Sequence, residues 1–176
     1  AMTGFLALLA MIVVKKIIPD PVISRFHSDT EASPANFRSV LRDTQLLRLN
    51  YGIFALHAVL MALWLVVPLT LRQAGMAADD HWQIYLPVLL LSIVLIVPAI
   101  IYSEKKAKLK QVFVAAIAIL LLGQLLLAMT FESVWGTALA LLVFFAAFNL
   151  LGASLPSLIS KIAPVGAKGT AIGIYS

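Results

Sequence analysis

Four long stretches of the chain contain no Asp, Glu, Lys or Arg, and short polar segments separate them. These stretches are residues 49–71, 84–102, 112–130 and 134–159. Each is close to or longer than the ~20 residues with which an α-helix crosses ~30 Å of hydrocarbon. The strands of a membrane β-barrel would alternate apolar and polar residues, whereas the run from Leu86 to Ile96 does not alternate. The pattern predicts an all-α, polytopic membrane helix bundle.

The two ends of the chain carry shorter apolar segments. The first, Phe5 to Val14, stops at Lys15 and Lys16 and is too short to cross a bilayer alone. We therefore interpret residues 1–18 as the end of a transmembrane helix. Residues 168–176 begin another apolar segment, and the sequence stops within it. Both ends look like cut helices, so we expect the sequence to be a fragment of a longer protein.

Composition agrees with a lipid environment. Of the 176 residues, 62% are hydrophobic and 12% are charged, whereas soluble domains carry about 25% charged residues. The chain has no cysteine, so neither a disulfide framework nor a cysteine metal site is available. The net charge of +5 could indicate a nucleic-acid partner. In membrane proteins, however, an excess of Lys and Arg usually marks the cytoplasmic loops, so we expect no nucleic-acid partner.

The positive charges fall in alternate connecting segments. Residues 15–48 hold six Lys or Arg, residues 103–111 hold four and residues 160–168 hold two. Residues 72–83 hold one, and residues 131–133 hold none. Because Lys and Arg accumulate in cytoplasmic loops, we expect the segments 15–48, 103–111 and 160–168 to face the cytoplasm.

Residues 19–48 have the composition of a polar linker that contains a short amphipathic helix. Ser33 is a candidate N-cap, and Pro34 suits the first helical position. Three apolar residues then recur at helical spacing: Phe37, Val40 and Leu41. We expect this helix to lie on the inner membrane surface. The alternative is a plain solvated linker.

Several short segments resemble the major facilitator superfamily of secondary transporters. In chain order they are Leu46 to Phe54, Pro98 to Lys106, Phe148 to Leu150, Leu155 to Lys161 and Lys168 to Ala171. The series is specific, although no single segment is diagnostic. The similarity covers about residues 36–176.

The resemblance implies two six-helix bundles, joined by a long cytoplasmic linker, around a cavity that opens alternately to either side of the membrane. Residues 1–18 would end the sixth helix and residues 19–48 would form the linker. Residues 49–176 would form part of the C-terminal bundle: the seventh to tenth helices are the four uncharged stretches, and residues 168–176 begin the eleventh.

The resemblance further implies a protein of the bacterial inner membrane that moves a small molecule by alternating access. We expect proton-coupled efflux, as in an antiporter, with the lipid bilayer, the substrate and protons as partners. We expect no cofactor, no metal and no enzymatic activity. The alternatives are a scaffold or assembly protein and a membrane-embedded enzyme. The triplet Asp79-Asp80-His81 is the candidate site for the enzyme, although it is more typical of a capped helix start.

Polar and aromatic residues share one face of the stretch 49–71. Spacings of four and three alternate along Asn50, Phe54, His57, Met61, Trp64 and Pro68. The resemblance implies that the seventh and tenth helices line the cavity, and His57 and Asn149 lie at similar depths in them. The substrate-path candidates are His57, Asn149, Asn50, Phe54 and Trp64.

His57 is the candidate proton carrier, because histidine titrates near neutral pH and ionisable residues inside membranes are commonly functional. The alternative is that His57 and Asn149 only form hydrogen bonds between helices.

A charged turn follows the stretch 84–102. It contains Glu104, Lys105, Lys106, Lys108 and Lys110. The resemblance places this turn where the family loosely repeats a charged signature loop, although the glycine-rich start of that signature is missing. An acidic residue among lysines can lock or release neighbouring helix ends through salt bridges, so these residues are candidates for gating. The alternative is that the lysines only fix the topology.

Overall fold

The computed structural model describes residues 2–17, 34–130 and 132–175, and these residues form helices joined by turns. The helices are α1 (Met2–Ile17), α2 (Pro34–Arg42), α3 (Thr44–Gln73), α4 (Trp82–Lys105), α5 (Leu109–Met129), α6 (Val134–Ile162) and α7 (Lys168–Tyr175), with a short 3-10 helix at Ala78–Asp80. Four of them, α3 to α6, are long and apolar enough to cross a membrane. The predicted all-α membrane bundle is confirmed.

The helices α3 to α6 contain the four uncharged stretches, except that Thr130 lies one residue beyond the end of α5. Polar residues outside those stretches set the helix ends. The Asp43 carboxylate accepts hydrogen bonds from the backbone N–H groups of Gln45 and Leu46, at 2.8 and 3.2 Å, and so caps α3. The Ser133 hydroxyl caps α6 by accepting a hydrogen bond from the Gly136 N–H.

Helix α6 is the centre of the bundle, and α3, α4 and α5 all pack against it. In its most apolar 18 residues, 50% of the positions are buried, against 17% in the other three spanning helices. Its residues Ala140, Leu141 and Phe144 form the core with residues of the surrounding helices. The positions of α3, α4 and α5 therefore depend on their packing against α6.

Helix α5 approaches α6 closely at Gly123. A Cβ atom at this position would lie 2.9 Å from the backbone N of Phe144 and 3.0 Å from its Cα. Contacts this short require a residue without a side chain. Gly123 therefore fixes how near the two helices stand.

Helix α2 docks onto the turn between α6 and α7. Val40 is 1% exposed and packs with residues of α3 and of the ends of α6 and α7. The Asn36 side-chain amide donates a hydrogen bond of 2.7 Å to the carbonyl oxygen of Gly166. Phe37 and Leu41 remain exposed.

The start of α2 at Pro34 agrees with the sequence pattern, whereas the proposed cap at Ser33 lies outside the described residues, as do residues 18–33. Of the three apolar residues read from the spacing, Val40 faces protein, so only Phe37 and Leu41 are available to contact lipid. The position of α2 on the membrane surface stays a prediction.

Asp79 and Asp80 are the last two residues of the 3-10 helix, His81 follows it, and α4 begins at Trp82. His81 occupies the cap position but makes no side-chain capping hydrogen bond, so the expectation of a capped helix start is wrong in this detail. The Asp80 carboxylate instead accepts a hydrogen bond of 2.9 Å from the Gln83 side-chain amide. His81 has helical backbone angles, φ −56° and ψ −28°, whereas a capping residue at a helix start normally has an extended backbone.

Candidate functional site

One face of α3 is left largely uncovered by the described helices. It carries the residues that share a helical face in the sequence, and Phe54 on this face is 70% exposed. Next to it, α3 and α7 line an open cavity of about 380 Å³. The cavity is lined by Asn50, Ile53, Phe54, His57, Ile174 and Tyr175. The structure therefore brings together three of the five substrate-path candidates: Asn50, Phe54 and His57.

His57 makes its hydrogen bond within its own helix. Its Nδ1 lies 3.0 Å from the carbonyl oxygen of Ile53. A carbonyl oxygen only accepts, so this bond requires the ring proton on Nδ1 and leaves Nε2 as the nitrogen that can take up a proton. The ring meets α6 through an edge contact with Phe148, at 5.9 Å between ring centres. His57 thus combines exposure to the cavity with a fixed ring orientation.

Asn149 lies against α4 and does not line the cavity beside His57. Its side-chain amide donates a hydrogen bond of 3.0 Å to the Ser92 hydroxyl, which in turn donates to the Leu89 carbonyl oxygen at 2.7 Å. Successive residues of a helix point about 100° apart, so Phe148 meets α3 while Asn149 meets α4. In this arrangement Asn149 joins two helices.

Trp64 packs against other aromatic rings. Its ring centre is 5.3 Å from that of Tyr85 and 6.3 Å from that of Phe145. Phe145 in turn contacts Phe148, which contacts His57. A row of rings therefore runs along the bundle from His57 to Tyr85. Edge-to-face contacts of this kind favour a fixed relative orientation of α3, α4 and α6.

The row ends at His81, whose ring meets that of Tyr85 at 6.1 Å and nearly at right angles. His81 Nε2 and the Tyr85 hydroxyl are both buried without a hydrogen-bond partner within the described part of the chain. Neither this pair nor the aromatic residues of α6 were predicted from the sequence as a contact between helices. The signals that could have revealed them are the spacing of four between His81 and Tyr85 and the cluster Phe144-Phe145-Phe148.

The charged turn between α4 and α5 is a sharp reversal. Ala107 has a left-handed backbone, with φ of 52°, and the Lys108 N–H donates to the Ser103 carbonyl oxygen at 2.9 Å. Glu104 and the four lysines of the turn are exposed. Within residues 34–130 and 132–175, no lysine lies within 4.0 Å of the Glu104 carboxylate. The salt-bridge lock expected from the sequence is therefore not formed in this arrangement.

Metal binding has no support in the described residues. They contain no group of three or more His, Asp and Glu side chains close enough to hold an ion.

Comparison with known proteins places the chain in a family. The profile of the Major Facilitator Superfamily matches residues 1–176. The chain is 39% identical over 160 residues to the inner membrane transport protein YajR of Escherichia coli (strain K12), a match that covers 91% of this chain and 35% of the relative.

A second relative is the uncharacterized transporter BU466 of Buchnera aphidicola subsp. Acyrthosiphon pisum (strain APS), 25% identical over 175 residues, or 99% of this chain and 45% of the relative. An uncharacterized transporter of Buchnera aphidicola subsp. Baizongia pistaciae (strain Bp) is 26% identical over 158 residues, or 88% of this chain and 39% of the relative. No solved structure matches the chain.

The chain spans less than half the length of each of these three relatives. All three relatives are named as transport proteins or transporters. The family profile, the four spanning helices and the named relatives lead to one conclusion. This chain belongs to the Major Facilitator Superfamily.

Proposed function

We infer that this chain is the part of a secondary transporter that runs from the end of the sixth helix to the start of the eleventh, and that the whole protein moves a small molecule by alternating access. In this proposal α1 ends the sixth helix, α3 to α6 are the seventh to tenth, and α7 begins the eleventh. Residues 19–48 are the cytoplasmic linker between the two halves. The family match over residues 1–176 and the partial coverage of the relatives support this placement.

The observation that carries the proposal is the uncovered face of α3 beside the cavity of about 380 Å³. This face carries polar and aromatic side chains. If it only faced lipid, apolar residues there would give a lower free energy, and the polar side chains would be more stable buried inside the bundle. Such a face suits a helix that lines a path for solutes. Asn50, Phe54 and His57 are the residues of this face that we expect the substrate to meet.

Asn149 and Trp64 have supporting parts in the same proposal. The hydrogen bond from Asn149 to Ser92 ties α6 to α4, and the edge contact of the Trp64 ring with Tyr85 and its tilted contact with Phe145 tie α3 to both. Together these contacts would keep the α3 face in a fixed position relative to α4 and α6 while this half of the transporter moves as a rigid body. A bundle that rocks rigidly needs such interhelical contacts.

Proton-coupled efflux is the mode that we propose. His57 is the titratable side chain that lines the cavity, apart from the phenol of Tyr175, and histidine changes charge near neutral pH. A proton taken up at Nε2 would add a positive charge to a face that otherwise carries none. Loading and release of that charge would then bias the transporter between its two states.

The charged turn between α4 and α5 is proposed to act in gating. Glu104 is exposed and without an ion-pair partner within the described residues, so it is available to a lysine or arginine brought near by movement of the other half. A salt bridge formed in only one state stabilises that state. This is the same turn that we expect to face the cytoplasm of a bacterial cell, beneath the inner membrane.

The coupling proposal is tested with the complete polypeptide reconstituted in lipid vesicles. A pH gradient is imposed, and proton movement is followed with a pH-sensitive dye trapped inside. We expect His57→Gln, which keeps a hydrogen-bond donor but does not titrate, to reduce proton movement to the level of protein-free vesicles. Met61→Ala, one turn further along the same face, is the matched control and should retain the movement. Proton movement in His57→Gln equal to that of the parent protein would remove His57 from the mechanism.

A further inference from the structure

A second cavity, of about 440 Å³, opens beside the charged turn, between the C-terminal ends of α4 and α6 and the N-terminal end of α5. Lys110 and Lys161 both line it, and so do Glu104 and Ser103. The lining of the cavity therefore includes one lysine from α5, one lysine from α6 and a single glutamate.

The positive charge around this cavity is not neutralised inside the described structure. Five lysines stand at this end of the bundle: Lys105, Lys106, Lys108, Lys110 and Lys161. Among residues 34–130 and 132–175, no carboxylate lies within 4.0 Å of any of these ammonium groups. Lys108 instead lies over the Tyr102 ring, with Nζ 6.0 Å from the ring centre. Like charges at one end of a bundle repel one another, and a bound anion would lower that energy.

The shape of the cavity is set by the turn. The left-handed Ala107 and the hydrogen bond from the Lys108 N–H to the Ser103 carbonyl oxygen hold the reversal closed. The Ser103 hydroxyl donates to the Ile100 carbonyl oxygen at 2.7 Å, so its proton is already used. Lys110 and Lys161 are therefore the donors that the cavity can offer to an anion.

Both helices of the turn carry exposed apolar residues along their spanning parts. On α4 the exposed residues Val94, Val97 and Ile101 form a stripe at helical spacing that ends beside the turn. On α5, exposed Val114, Ile117 and Leu121 form a second stripe. In a spanning bundle such stripes face hydrocarbon, which puts the lysines at the level of the lipid headgroups. An anion that is present at this level and carries its own apolar chains is an acidic phospholipid.

We propose that the cavity between α4, α5 and α6 binds the phosphate of an anionic phospholipid, with Lys110 and Lys161 as its cationic ligands. The acyl chains lie against the exposed stripe of α5, which shares the helical face of Lys110. Glu104 opposes the phosphate and limits the affinity. The site is separate from the cavity beside His57, and it requires neither transport activity nor a particular coupling ion.

The test measures lipid binding to the complete polypeptide by native mass spectrometry, with phosphatidylglycerol and phosphatidylcholine as probes. We expect a preference for phosphatidylglycerol that falls by roughly five-fold for each cavity lysine removed, or about 25-fold in the double variant Lys110→Gln/Lys161→Gln. The matched control, Lys15→Gln/Lys16→Gln, removes the same charge from α1 and should leave the preference unchanged. Glu104→Gln should tighten phosphatidylglycerol binding.

Four results would overturn the proposal. Equal losses in the cavity variant and in the α1 control would show attraction to diffuse charge instead of a site. Equal binding of phosphatidylcholine would remove the role of the anionic headgroup. Full displacement of the lipid by millimolar inorganic phosphate would make this a site for a soluble anion. Unchanged binding in Glu104→Gln would place the lipid outside the cavity.

Discussion

Gly123 is the residue on which the packing of α5 against α6 depends. The missing side chain lets the α6 backbone at Phe144 approach to a distance that no Cβ atom tolerates. Gly152, on α6 itself, has no neighbouring atom within 4 Å of the place where a Cβ would stand. The two glycines therefore differ in their surroundings while sharing a position inside a spanning helix, which makes them a matched pair.

We expect Gly123→Ala to lower the free energy of unfolding by about 1–3 kcal/mol, because the new methyl group forces α5 away from α6. Gly152→Ala should change it by less than about 0.5 kcal/mol. The measurement is thermal unfolding in detergent, followed by circular dichroism. Equal stabilities of the two variants would contradict the close approach at Gly123.

The bond between Asn149 and Ser92 gives a second prediction at this scale. If Asn149 acts as a link between α6 and α4, then Asn149→Ala and Ser92→Ala remove the same interaction and their effects on stability are not additive. A double-mutant cycle should return a coupling of about 0.6 kcal/mol, the average for hydrogen bonds between membrane helices. A coupling of zero, together with a transport defect in Asn149→Ala alone, would make Asn149 a substrate ligand.

Helix α2 shows how an element takes its position from distant residues. Val40 enters a small core built from the ends of α3, α6 and α7, and Asn36 reaches Gly166, 130 positions away in the chain. The sequence pattern predicted that a helix starts at Pro34, because proline and the apolar spacing are local signals. The pattern did not predict which apolar residue of α2 contacts protein, because that contact depends on the turn between α6 and α7, which is distant in the sequence.

Because α2 docks through Val40, we expect two alanine substitutions in this helix to change its local stability by unequal amounts. Val40→Ala removes a buried side chain and should cost about 2 kcal/mol of local stability, so that the backbone amides of residues 34–42 exchange hydrogen faster. Phe37→Ala removes a larger side chain that is 51% exposed and should change this exchange much less. Hydrogen–deuterium exchange with mass spectrometry measures both. The opposite order would mean that α2 is held by lipid through Phe37 and not by protein through Val40.

The positions of the spanning helices in the sequence were predictable, but the neighbour that each side of a helix contacts was not. Charged residues are costly in hydrocarbon, so uncharged stretches marked the spans without any knowledge of packing. Helices that are apolar on all sides carry little periodicity, and nothing in the sequence around Ser92 or Trp64 says which neighbour they meet. His57, Asn50 and Phe54 were placed together because polar residues are rare in such helices and their spacing is informative.

At the scale of the whole molecule, the charge pattern predicts which connections face the cytoplasm. The sequence has no cysteine, so single cysteines can report sidedness directly, with any cysteine outside these residues replaced. In intact cells, we expect a membrane-impermeant maleimide to label Glu132→Cys, in the turn before α6, and to leave Lys106→Cys unlabelled until the membrane is broken. The reverse labelling would invert the proposed topology and place the charged turn outside the cell.

The central position of α6 has a consequence for how the protein tolerates change. One helix supplies the contacts of three others, so errors in it cannot be compensated locally, whereas α3 and α5 each present a free side. In a library of single substitutions scored by protein abundance, loss-of-expression variants should concentrate along α6, and variants of the exposed α3 face should accumulate normally. Natural selection would then act on the two parts for different reasons: folding would constrain α6, and transport alone would constrain the solute-facing surface.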